Sequence, residues 1–242
     1  MTKMNIKFDY REKTVLVVGG SRGIGEQITK DFITTGAEVY YMSRNKNIDL
    51  EKSGAKHIRC DLRDENKISE SFDKIESIDF LINSAAINFC KSVEDIDVDE
   101  WDDVFSVNVR SFYLTCKFAI EKMKKRRFGR IVNISSIAGR NKSVVSGSHY
   151  TASKSAIIGL TRQLAHEVSR FGINVNVTCP SQTMTDMLKT SMTKNELDKL
   201  CESIPISRIA STKEQSYPVL FLCSDAASYI TGCVLDVNGG QL

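Results

Sequence analysis

Three prolines in 242 residues and no Pro/Ser-rich stretch leave nothing that reads as an extended linker, and no break in composition divides the chain. Its seven cysteines, Cys60, Cys90, Cys116, Cys179, Cys201, Cys223 and Cys233, are odd in number and lack CxxC spacing. That pattern argues against a disulfide framework and against a zinc site, so they read as reduced thiols and the expected compartment is the cytoplasm. No metal site is expected. A run of eighteen apolar residues is missing, and the first twenty residues carry Lys3, Lys7, Asp9, Arg11, Glu12 and Lys13 where a signal sequence has an apolar core. Neither membrane spanning nor export is expected. Excess charge of one sign is missing too: 33 basic against 30 acidic side chains leave +3, which gives no nucleic-acid footprint. The one basic run, Lys122 to Arg127, stands before Gly129. It reads as a solvated last helical turn complementing the helix dipole, with a docking patch for an acidic partner as the alternative.

With 41% hydrophobic residues, the chain can bury one substantial core, and residues 1–242 are expected to form one domain. Short β-branched runs at Val15–Val18, Val39–Met42, Ile78–Ile82, Ile131–Ile134 and Val175–Thr178 are separated by amphipathic stretches of helical length. His57–Cys60 and Cys233–Val237 complete about seven strands. Such alternation predicts an α/β fold: a doubly wound parallel sheet with right-handed crossovers and helices on both faces. Ligands of such sheets bind beyond the strand carboxyl ends, and the glycine-rich turn, Asn83, Ser136 and Ser181 all follow predicted strands.

Gly19, Gly23 and Gly25 lie between the first strand and a helix, in a Gly-x-x-x-Gly-x-Gly spacing. Glycine there lets the backbone turn tightly and aim free amides at a pyrophosphate. Farther on, Tyr150-Thr-Ala-Ser-Lys154 puts a phenol and an ammonium at i and i+4 on a helix predicted to end near Phe171, before Gly172. A tyrosine exchanging protons near neutrality needs about 4 kcal/mol of help toward the phenolate. An ammonium about 4 Å away at an effective dielectric of about 20 supplies about that much. The spacing therefore predicts a phenol whose titration is lowered by its lysine.

These motifs, with Asp61 after the third strand, Asn83-Ser-Ala-Ala86, Val107-Asn-Val-Arg110, Asn133-Ile-Ser-Ser-Ile-Ala-Gly139 and the ending Tyr229 to Gly240, resemble in order those of the short-chain dehydrogenase/reductase family, over essentially the whole chain. The resemblance is greatest to the 3-oxoacyl-[acyl-carrier-protein] reductase type and implies a single-domain Rossmann fold. It also implies a catalytic set: Tyr150 as general acid/base, Lys154 lowering its pKa and holding the nicotinamide ribose, Ser136 bonding the substrate oxygen, and Asn108 anchoring a relay water. Ser136 matches the Ser-x-x-Gly pattern with Gly139, although Ser135 stands beside it. Cofactor contacts are implied at Gly19, Ser21, Arg22, Gly23, Ile24, Gly25, Arg44, Asp61, Leu62, Asn83, Ala85, Tyr150, Lys154, Pro180, Thr183 and Thr185. Ser181 replaces the glycine that the family has after the proline, which puts the nearby carboxamide contact in question. A homotetramer is expected from the same resemblance.

Where an NAD site has an acidic residue at the end of the second strand, this chain has Ser43-Arg44. Arg44 and Arg22 can fork onto a 2′-phosphate, so NADP(H) is expected to be preferred over NAD(H). The expected reaction interconverts a ketone and a secondary alcohol on a small-molecule substrate. A 3-oxoacyl thioester is the first reading; a sugar, a nucleotide-linked sugar or another secondary alcohol is the alternative, and a non-catalytic NADP-binding regulatory protein is a remote one. The Tyr-to-Lys spacing resembles that of ketone reductases and is shorter than that of related enoyl reductases. Residues 184–210, with Met184, Met187, Leu188 and Met192, are expected to form a substrate lid. Arg140, Asn141 and Lys142 are read as a solvated loop, with selection of an anionic or polyhydroxyl substrate as the lesser reading. His149 is expected to be an exposed helix-start residue, with lining of the pocket as the lesser reading, and His57 and His166 structural.

Overall fold

The computed structural model describes residues 7–143, 145–185, 188 and 193–242. Seven parallel strands form the central sheet: β1 (Thr14–Val18), β2 (Glu38–Ser43), β3 (Lys56–Arg59), β4 (Phe80–Asn83), β5 (Gly129–Ile134), β6 (Ile173–Pro180) and β9 (Val234–Val237). Their order is β3-β2-β1-β4-β5-β6-β9, reversing direction at β1/β4, which is the doubly wound topology. Two short strands, β7 (Thr183–Met184) and β8 (Ala210–Ser211), pair beside it. Each predicted strand is found within a few residues of its expected bounds.

Because neighbouring residues on a strand point to opposite faces, β1 feeds two cores at once. Leu16 and Val18 join Met42, Leu81, Ile131 and Val175 on one face. There they meet α3 (Glu65–Asp73), α5 (Ser111–Arg126) and α6 (Ser148–Val168). Val15 and Val17 join Val39, Tyr41, Phe80 and Val132 on the other face, under α1 (Gly23–Thr34) and α7 (Thr212–Cys223). Burial on both faces explains why the strands read as continuous apolar runs. Helix α2 (Ile48–Lys52) is capped by Asn47, whose side chain accepts from the amides of Asp49 and Leu50.

Helix α6 continues through a tight turn, Ser169–Phe171, and stops at Gly172, which has φ +74°. Before α5, helix α4 (Val98–Phe105) passes into a π turn at Ser106–Arg110, a wide turn that displaces the residues it carries from the regular helical rows. The basic run closes α5 as its sequence suggests. Arg126 pairs with the buried Asp79 at 3.1 Å, and Arg127 donates to the Arg170 carbonyl. No helix among the described residues is long and apolar enough to cross a membrane.

Phe80 is 1% exposed and lies edge-on to Tyr10 at 5.0 Å, with Phe32 at 6.0 Å and Phe128 at 6.4 Å. Phe80→Ala is expected to destabilise the fold by about 3–5 kcal/mol, measured by urea unfolding.

Candidate active site

Helix α6 meets the carboxyl end of β5 at a close crossing. Ser135 donates its hydroxyl hydrogen to the Lys154 carbonyl at 2.7 Å, and the Lys154 ammonium donates to the Ile134 carbonyl at 2.8 Å. Gly139 permits the approach, since a Cβ there would stand 2.7 Å from the backbone of Lys154. These contacts separate the two serines: Ser135 is buried and committed to the backbone of α6. Ser136 caps the short turn after β5, accepting from the Ala138 amide at 3.1 Å, and its side chain hydrogen-bonds the Tyr150 phenol. Tyr150 is half-buried, and Lys154 is 1% exposed.

The electrostatics differ from the expectation drawn from spacing. Burial pushes the Tyr150 phenol above its ordinary value, with the Ser136 hydrogen bond acting in the opposite direction. Burial lowers Lys154 to about 8. Position i+4 brings the ammonium within 5.7 Å of the Tyr150 ring centre and 5.6 Å of that of Phe112. Its hydrogen bond, however, goes into the sheet, to Ile134. Spacing alone therefore does not produce a lowered phenol here: desolvation outweighs a cation that is itself close to losing its proton.

Asn108 lies in the π turn, fully buried. Its carboxamide donates to the Ile87 carbonyl (3.0 Å) and Ser153 hydroxyl (3.1 Å) and accepts from the Ile87 amide (2.9 Å). One side chain thus ties the loop after β4 to the helix of Tyr150. Asn83 is also consumed by structure. It donates to Asn133 at 2.9 Å and to Cys116, and accepts from Thr115 at 2.8 Å. Those bonds use both of its amide hydrogens and give the side chain a sheet-stabilising role at the end of β4.

The glycine turn has the features of a pyrophosphate cradle. Gly19 has φ +80°, and a Cβ there would meet the Ala85 backbone at 2.6 Å. A Cβ on Gly25 would collide with the Gly19 carbonyl, and Thr185 approaches Gly23 from the far side, its methyl 3.5 Å from a Cβ built there. The amides opening α1 have no side-chain cap from Arg22, so they remain available to an anion. The chain's own residues thus fit a dinucleotide. Arg22 and Arg44 are exposed, with no ion pair to either among the described residues. The Asn47 side chain donates to the Ser21 carbonyl at 3.0 Å, tying the Arg44 loop to the glycine turn.

On the adenine side, Asp61 accepts from the Arg63 amide at 3.1 Å, and Arg63 forks onto Asp103 at 2.5 and 2.8 Å. Ile24, Leu62 and Ala85 spend their side chains on the core. Pro180 ends β6 opposite Val237, and Thr183 donates to the Ser181 carbonyl at 2.9 Å. Ser181 is not among the positive-φ residues, so its backbone does not require glycine.

Two readings are revised. His149 is not exposed but fully buried, held between the Tyr150 amide and Glu100. Asp97-x-x-Glu100 marks a helix start in the sequence, but nothing local pairs Glu100 with a histidine 49 residues away. Arg140 is not free for an anionic substrate, because its Nε and Nη2 each donate to Asp236 at 3.1 Å. Of the lid, Met184, Leu188 and 193–210 are described, and the segment closes through the β7–β8 pairing; Met187 and Met192 lie outside the described residues.

A family model described as enoyl-(acyl carrier protein) reductase matches residues 18–241. The chain is 36% identical over 243 residues to the 3-oxoacyl-[acyl-carrier-protein] reductase FabG of Aquifex aeolicus, covering 95% of this chain and 97% of that protein. A 3-oxoacyl-[acyl-carrier protein] reductase from Brucella melitensis, solved with NAD bound, superposes with a TM-score of 0.90 at 29% identity, covering 100% and 98% of the two chains. An ElxO variant with NADPH bound does so with 0.89 at 28% identity, covering 95% and 98%.

Lys154 has its ordinary value of 10.5 when unfolded and about 8 when folded, so the buried charge costs stability below pH 8, and that cost is relieved as pH rises toward 10.5. Lys154→Met is expected to stabilise the cofactor-free protein by about 2 kcal/mol at pH 7, after allowing for the lost bond to Ile134. The gain should shrink in denaturant titrations repeated at pH 9.5.

Proposed function

The chain belongs to the short-chain dehydrogenase/reductase family, and on that footing we propose that it is an NADPH-dependent ketoreductase whose substrate is a 3-oxoacyl thioester. The observation that carries this reading is the meeting of Ser136, Tyr150 and Lys154 at the carboxyl end of β5, two strands from β1 and the uncapped start of α1 at the same end of the sheet. The bound cofactor supplies the hydride. The Ser136 hydroxyl holds the substrate carbonyl oxygen, and the Tyr150 phenol, neutral at physiological pH through its burial, gives that oxygen its proton. Asn108 ties the loop after β4 to α6; Lys154 would hold the nicotinamide ribose, and Asn108 would anchor the water of the proton relay.

Although the matched family model carries an enoyl reductase description, the i, i+4 spacing of Tyr150 and Lys154 supports carbonyl rather than enoyl reduction. An acyl substrate is supported by Phe89 and Val145, exposed apolar residues on the two loops that meet before α6. The Arg140–Asp236 pair weighs against an anionic or polyhydroxyl substrate. NADPH is favoured over NADH by Arg22 and Arg44 and by Ser43 where an acidic residue would meet a 2′-hydroxyl. For the thioester carrier, an acidic protein suits the face around Lys122, Lys125 and Arg127. The Arg170 guanidinium stacks on Phe171 at 4.9 Å and adds its charge there. A cytoplasmic homotetramer completes the proposal, with α5 and α6 packing across one interface and the carboxyl-terminal segment near another, and residues 184–210 as the lid.

NADPH oxidation with a 3-oxoacyl thioester, on carrier protein and on coenzyme A, tests the reaction. Wild-type turnover is expected, with Tyr150→Phe reducing it by about 10²–10⁴-fold while still binding NADPH; no wild-type turnover on either thioester despite tight NADPH binding overturns the substrate. Arg44→Asp is expected to weaken NADPH binding by at least about tenfold and to leave NADH binding unchanged or tighter, in fluorescence titrations. Equal wild-type affinity for the two cofactors would overturn the preference.

A further inference from the structure

Helix α6 begins without a conventional cap: Gly147 has no side chain to receive the first amides. One of those amides, that of Tyr150, donates instead to Nδ1 of His149 at 2.9 Å. A ring nitrogen that accepts from an amide carries no hydrogen, so the neutral ring's hydrogen is on Nε2. Nε2 faces Oε1 of Glu100 at 3.1 Å, where a carboxylate accepts it, and Oε2 of Glu100 accepts from the Lys91 ammonium at 2.6 Å. Glu100 is itself fixed in the first turn of α4, its amide donating to Asp97 at 2.7 Å.

The surroundings are shaped to this ring. A Cβ on Gly147 would stand 2.5 Å from Cε1 of His149 and 2.7 Å from Nδ1, so the ring fills the space a side chain there would need. The Gly147 amide donates to the Phe89 carbonyl at 2.9 Å, and the Phe89 ring lies 6.2 Å from the imidazole. His149 is fully buried, so both of its nitrogens must be satisfied inside the protein, and both are.

We propose that His149 is a positioning residue for the ketoreduction: it ties the first turn of α6, at the backbone of Tyr150, to Glu100 of α4, and so fixes where the phenol stands relative to Ser136. The tie acts at the backbone of Tyr150, upstream of the phenol's own bond to Ser136. Asn108 makes a separate tie from the π turn to Ser153, one turn later on the same helix. The helix carrying the phenol is thus pinned at two successive levels by side chains from α4 and the turn that follows it. Loss of the His149 tie leaves the cofactor cradle at the start of α1 untouched, because none of its contacts reach that turn.

The inference rests on the proposed reaction, so its test combines a kinetic and a non-kinetic reading on the full chain. His149→Ala removes the acceptor, whereas His149→Asn returns one, since Oδ1 of asparagine occupies the place of Nδ1. Against a 3-oxoacyl-coenzyme A substrate, the alanine variant is expected to lose at least about tenfold in kcat with KM for NADPH unchanged, and the asparagine variant to recover to within about threefold of wild type. Glu100→Ala, which keeps the ring but frees its far end, should lose kcat severalfold and serves if the alanine variant fails to fold. Equal kcat in the alanine variant and wild type, equal loss in the alanine and asparagine variants, or loss matched by a rise in KM for NADPH overturns the proposal. Amide hydrogen exchange at residues 148–152 tests the tie apart from turnover. Exchange at Tyr150 should be at least about tenfold faster in His149→Ala than in wild type or His149→Asn, and equal rates in all three overturn it. A wild type inactive on ketones would count against the reaction alone, with the exchange rates still deciding the tie.

Discussion

Two hydrogen bonds run in opposite senses between the end of β5 and helix α6, from the Ser135 hydroxyl to the Lys154 carbonyl and from the Lys154 ammonium to the Ile134 carbonyl. Everything at the site depends on that crossing. It brings the Tyr150 phenol to Ser136, draws an ammonium out of water, and requires a residue without a side chain at Gly139. The sheet supplies rigidity, because β5 is hydrogen-bonded on both sides, by β4 and by β6. A helix docked by polar bonds onto such a base holds its side chains to a narrower range than packing alone would impose.

The same crossing sets the electrostatic state of the site. Burial raises the phenol and lowers the ammonium, so in the cofactor-free protein both groups are biased toward their neutral forms. A phenol that keeps its proton suits a donor to a developing alkoxide. The tuning resides in desolvation and in the Ser136 bond, with the neighbouring cation secondary, an ordering that a spacing rule does not contain.

Much of the fold was legible because its signals are local. Runs such as Val15–Val18 and Ile131–Ile134, spaced by helix-length stretches, announce parallel strands buried on both faces, and Gly172 stops α6 where its sequence indicates. The catalytic-type residues were legible as motifs, but their partners were not. Separating Ser136 from Ser135 required knowing which hydroxyl meets the backbone of α6, a contact 19 residues away. His149 read as exposed because nothing near it in sequence reveals Glu100 or Phe89, which reach it only after the chain has folded across the sheet edge. Arg140 read as free for the same reason: Asp236 stands 96 residues farther on. Asn83 was legible as a motif residue at a strand end, but the partners of its inward bonds, Asn133 and Thr115, were not.

Those inward bonds bear on how the chain finds its sheet. Asn83 and Asn133 sit opposite one another in the β4–β5 ladder, and Thr115 and Thr161 close the remaining bonds from α5 and α6. Parallel strands joined by long crossovers must select their alignment from many near-equivalent ones, since valine and isoleucine runs pair almost as well when displaced by two residues. A displaced ladder would leave two carboxamides facing hydrocarbon without partners, at a cost of about 1–3 kcal/mol for each group. The apolar residues drive the collapse, and the asparagine pair acts as a checksum on it, rewarding one alignment of the central strands and penalising its neighbours.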